Sequence, residues 1–145
     1  MLHQSSKHIT IIETEGNTAE SVFYFLKDNG TTNLYIQPNQ KEVAMYIAEN
    51  EESIVVQSLK TKAPLQVVQQ VTVPTLEKIL ADIFADKVLF NAFQGSELDF
   101  IFNTAYQKYE LNLTKLLHYA SRRGKKEELS AYLRTRTNIP ILNDW

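Results

Sequence analysis

The sequence predicts an α+β protein: a small mixed sheet of about four strands with two helices in the N-terminal half, then a bundle of about four helices. Three observations carry this prediction. β-Branched runs alternate with helically spaced apolar residues as far as Val73. From Pro74 onward the apolar period is helical throughout. The chain is 43% apolar with only 4 Gly and 4 Pro, which excludes collagenous and disordered classes. No apolar run approaches the roughly 18 residues of a membrane span.

The elements follow in order. His8-Ile9-Thr10-Ile11-Ile12-Glu13 reads as the first strand. After Gly16-Asn17-Thr18, the residues Ala19, Val22, Phe23 and Leu26 recur at helical spacing until Asn29-Gly30 stops them. Thr32 to Ile36 reads as a second strand, and Pro38 is expected to open a second helix carrying Val43, Tyr46 and Ile47. Ser53 to Leu59 is a third strand whose Ile54-Val55-Val56 run suits burial on both faces. Gln66 to Val73 is a fourth, more polar strand at the edge of the same sheet. The β-α-β-α-β-β order implies a sheet that is at least partly parallel.

In the second half, Leu76, Ile79, Leu80, Ile83 and Phe84 keep a helical period without a miss, with Pro74 in the first turn. Ser96 and Asp99 have nearly the spacing of a capping box before Leu98, Ile101, Phe102, Ala105 and Tyr106. Asn112 is placed to cap a helix with Leu113, Leu116, Leu117 and Ala120 inward, and Gly124 to end it in a left-handed turn. Leu129, Tyr132 and Leu133 mark a last helix, and the tail offers Ile139, Ile141 and Trp145 for packing.

At 145 residues the chain can bury one substantial core, and residues 1–145 are read as a single compact domain. Within it lie a strand-helix lobe, 1–65, and a mainly helical lobe, 66–145, with the stretch Lys60-Thr61-Lys62-Ala63-Pro64 as the boundary. Cysteine is absent, which excludes disulfides, thiolate metal sites and a cysteine nucleophile. With no apolar leader in Met1 to Thr10, the expected compartment is the cytoplasm. Net charge is −2 but unevenly spread: residues 1–103 carry net −6 and residues 104–145 net +4.

Catalytic signatures are missing. The 4 glycines, at 16, 30, 95 and 124, are too far apart to cradle a phosphate, and neither GxSxG nor HExxH occurs. His3, His8 and His118 are scattered. Glu13 and Glu15 are alternate residues at a strand end and could face one magnesium ion, but a solvated strand end is the expected reading. Lys78 and Asp82 are i, i+4 neighbours and are expected to form an ordinary surface pair; a fixed polar contact between the two halves is the alternative. No catalytic residue, metal ligand or cofactor is assigned.

The basic helix is more informative. Opposite Leu113, Leu116, Leu117 and Ala120, a helical net places Lys115, His118 and Arg122, with Tyr119 and Arg123 flanking them and Lys125 and Lys126 following Gly124. Such a stripe suits phosphate contacts or an acidic protein surface. A solvated helix with its cations near the favourable dipole end gives the same pattern.

The run Val73-Pro74-Thr75-Leu76-Glu77-Lys78-Ile79-Leu80-Ala81-Asp82-Ile83-Phe84 resembles the vPtLEKiLvDi segment of AbiEi-like antitoxins from type IV toxin–antitoxin (abortive infection) systems. Phe93 to Leu98, and Tyr109 to Gly124 with its ending Leu116-Leu117-His118-Tyr119-Ala120-Ser121-Arg122-Arg123-Gly124, resemble further segments of that superfamily. The resemblance implies a non-enzymatic bacterial antitoxin. Its partner would be a nucleotidyltransferase-like toxin encoded beside it, and a positive surface would assist DNA binding. The family's N-terminal winged helix-turn-helix has no counterpart, because the chain opens almost directly on its first strand. The expectation is therefore an antitoxin domain without its DNA reader, acting through the surface of Lys115, His118, Tyr119, Arg122, Arg123, Lys125 and Lys126. The alternative is a nucleic-acid-binding module using the same helices.

Overall fold

The computed structural model describes residues 8–60 and 62–141. The leader reading of residues 1–7, His3, Thr61 and Trp145 lie outside the described residues. The protein is α+β, with strands concentrated in the first half and helices after them. It divides into two compact units, Met1–Leu59 and Lys60–Trp145.

The first unit runs β1 (His8–Thr14), α1 (Ala19–Asp28), β2 (Leu34–Ile36), α2 (Gln40–Glu42), a π turn (Val43–Ile47) and β3 (Glu52–Ser58). Its sheet has the order β1-β3-β2, with both pairs parallel; Val55 of β3 is opposite Ile11 on one side and Tyr35 on the other. Successive strand residues point to opposite faces, and Val55 and Val56 are both fully buried. Both faces of the central strand are therefore covered, as its unbroken apolar run requires. Pro38 does not open the second helix. Asn39 does, because its Oδ1 accepts from the Glu42 N–H at 2.9 Å while Glu42 Oε1 accepts from the Asn39 N–H at 3.2 Å.

The second unit begins with β4 (Leu65–Val68) and β5 (Val71–Pro74), an antiparallel hairpin forming a separate two-stranded sheet. The single edge strand expected over Gln66 to Val73 is thus two strands. Gln69 and Gln70 both adopt positive φ, 50° and 67°, which folds the segment back on itself in two residues. Gln-Gln is not a recognised signal for that turn, so the reversal had no mark in the sequence.

Four helices follow: α3 (Leu76–Ala85), α4 (Ser96–Lys108), α5 (Leu113–Arg122) and α6 (Lys126–Arg136). Pro74 closes β5 instead of entering α3, whose cap is Thr75; the Thr75 Oγ1 accepts from the Lys78 N–H and donates to the Pro64 carbonyl at 3.0 Å. Ser96 does not cap α4 either. Gly95 takes the cap position at φ 73°, and its carbonyl accepts from the Leu98 and Asp99 N–H groups. Leu80 and Phe84 of α3, Leu98 and Phe102 of α4, Leu116 and Leu117 of α5, and Leu129 and Leu133 of α6 form one core. Ile139 is buried in it, and Ile141 packs against it.

The face of α3 differs from its apolar period. Ile79 is 41% exposed, whereas Glu77, Lys78 and Asp82 are buried. The surface pair expected of Lys78 and Asp82 is therefore an interior one, and its partners belong to α5 of the same unit.

Candidate functional site

Helix α5 is fixed at both ends. At its start the Asn112 Oδ1 accepts from the Lys115 N–H at 2.9 Å, and the Asn112 N–H donates to Glu77 Oε2 on α3 at 2.9 Å. At its end Gly124 turns left-handed at φ 70°, the Gly124 N–H bonds the Ser121 carbonyl, and the Lys125 N–H bonds the Ala120 carbonyl at 2.8 Å. These two bonds satisfy carbonyls that the helix end would leave open.

Between the ends, Asp82 gathers three side chains. Its Oδ2 pairs with Lys78 Nζ, and its Oδ1 accepts from the Tyr119 hydroxyl at 2.7 Å and from Arg123 Nη1 at 2.6 Å. Burial, together with the Asp82 carboxylate, holds the Tyr119 phenol well above its ordinary value. Burial works against the Arg123 charge, but Tyr119 and Asp82 outweigh it and the guanidinium is held more firmly protonated. A buried carboxylate with two cations and a hydroxyl is a satisfied cluster, and it sets the rotation of α5 about its axis.

That rotation sorts the seven residues read from the sequence. Tyr119 is 1% exposed and Arg123 is directed at Asp82, so these two belong to the interior and not to the outward stripe. Lys115, His118 and Arg122 point outward as expected. Lys125 is half-buried and pairs with Glu128 at 3.5 Å, while Lys126 opens α6. Among the described residues, Lys115, Arg122 and Lys126 form no ion pair.

Thr114, Leu117 and His118 of α5 and Lys126 of α6 line a shallow cavity of about 180 Å³. The candidate surface is thus the outer side of α5 with the first residue of α6. Sequence reasoning missed Thr114 and Leu117, since a threonine and a core leucine carry no binding signal until the second helix is set beside them. Elsewhere, Glu13 is half-buried and accepts from Gln57 Nε2 at 3.4 Å, whereas Glu15 is exposed. Among the described residues, no group of three or more acidic or histidine side chains could hold a metal ion. No helix among them is long and apolar enough to cross a membrane.

A family model matches residues 1–139, that of DUF6577, described as a family of unknown function. The chain belongs to the DUF6577 family. No curated protein and no solved structure matches it. The function of this DUF6577 protein is accordingly argued from its own surface.

Proposed function

We propose that this DUF6577 protein is a non-enzymatic, antitoxin-like binding protein that counters a nucleotidyltransferase-like toxin, or joins a repressor complex, through the outer face of α5 and the start of α6. The observation that carries the reading is the division of labour on α5. The segments bearing the resemblance meet at Asp82, where Tyr119 and Arg123 anchor α5 to α3, and at Glu77, which receives the Asn112 N–H. This leaves Lys115, His118 and Arg122 on a rigidly held outward face. A surface fixed before binding loses little side-chain and backbone freedom on association. The absence of cysteine supports a cytoplasmic place of action.

Co-expression with the product of the adjacent reading frame tests the proposal. Rescue of growth, together with a complex or a restored repressor assembly, is the expected result; toxicity undiminished by the wild-type chain would overturn it.

A second reading, a nucleic-acid-binding module, draws on the unpaired Lys115 and Arg122. It requires affinity for duplex DNA that falls steeply with salt and is lost when Arg122 is reversed in charge.

A further inference from the structure

Resting on the reading that this face binds a protein, we infer that the cavity between α5 and α6 is the socket for one acidic side chain of the partner, a glutamate above all. The lining is mostly apolar, with Leu117 beside three residues that carry polar groups, Thr114, His118 and Lys126. Among the described residues, no carboxylate belongs to the lining. The charge inventory singles out the same spot. Arg123 is committed to Asp82, Lys125 to Glu128 and Arg136 to Asp99. Lys126 and His118 carry no ion pair among the described residues, so their donors are open to an incoming anion.

Size and surroundings select the occupant. At about 180 Å³ the cavity is smaller than the roughly 300–1,000 Å³ of ordinary cofactor or drug-sized sites, but it is ample for one side chain. A phosphodiester chain laid over Lys126 offers no apolar group to this lining. It would leave Leu117 unused. A glutamate lays its methylenes on Leu117 and brings its carboxylate to Lys126 and Thr114. The pairing combines apolar contact with a charge-assisted hydrogen bond.

Amide chemical shifts of the full chain, titrated with capped hexaglutamate at low salt, test this. Saturable shifts are expected at Thr114, Leu117, His118 and Lys126, weakened by about tenfold or more in Lys126→Glu and to a lesser degree in Lys126→Gln. Lys126 is half-buried, and helical circular dichroism checks that each variant is folded. The inference fails if the peptide produces no saturable shift, if shifts persist unchanged in both variants, or if short duplex DNA shifts these amides while the peptide does not. Rescue by wild type and by Lys126→Glu alike would sink the socket and leave the proposed function standing. Peptide shifts in a chain that rescues nothing would do the reverse.

Discussion

Asp82 on α3 and Asp99 on α4 are held in the same way. Each accepts a tyrosine hydroxyl and an arginine guanidinium that lie four residues apart: Tyr119 of α5 and Arg123 at its C-terminal cap for Asp82, Tyr132 and Arg136 of α6 for Asp99. An i, i+4 spacing puts both donors on one helical face, so a single carboxylate can take both. The two clamps fix α5 and α6 in turn, but they differ in depth. Arg123 is 15% exposed at its side chain and Arg136 is 55% exposed.

Depth sets the cost of breaking each clamp. Asp82→Ala leaves the Arg123 guanidinium without its anion in a low-dielectric setting, and a loss of about 3–5 kcal/mol is expected. Asp99→Ala strands a mostly hydrated arginine, and a loss of about 1–2 kcal/mol follows. Urea unfolding of both variants checks the order; equal losses would show that the Asp82 cluster is not the deeper anchor.

Alkaline pH should loosen both clamps. Burial, and then the carboxylate each donates to, hold the Tyr119 and Tyr132 phenols above their ordinary value. In the unfolded chain these phenols lose their protons near pH 10, while the folded protein retains them. The folded state then binds more protons, so stability is complete below about pH 10 and falls as pH rises beyond it. Unfolding free energies measured across that range in wild type and in a Tyr119→Phe, Tyr132→Phe variant should show a shallower decline in the variant. Identical slopes would contradict the assignment.

The hairpin turn offers a gain. Gln69 and Gln70 hold positive φ, which side-chain-bearing residues adopt at some cost. Replacing them with Asn-Gly, which suits this turn, should raise stability by about 0.5–1 kcal/mol. Thermal unfolding reads the change, and a lower midpoint would mean the turn has another geometry.

Much of the fold could be read from local patterns. The β-branched run of β1, the buried run of β3, the Asn112 cap and the Gly124 stop are all signals within a few residues of one another, and each stands where it was expected. The failures share a cause: the deciding partner is distant in sequence or absent from known signals. Lys78 and Asp82 look like surface residues until Tyr119 and Arg123 arrive from α5, and the same contacts draw Tyr119 and Arg123 away from the basic stripe. Helical periodicity sees one helix at a time, so it gave α3 an apolar face that includes the exposed Ile79. The candidate site was legible in Lys115, His118, Arg122 and Lys126 because outward cations keep their helical phase. Its cavity was not, since a cavity is a property of two helices together.

The most direct test of the account is growth rescue by outward-face variants under co-expression with the adjacent reading frame's product. A Lys115→Glu, Arg122→Glu, Lys126→Glu chain, folded and expressed at the wild-type level, is predicted to lose rescue, while wild type retains it. Rescue by that variant as complete as by wild type would contradict the claim that this face does the binding.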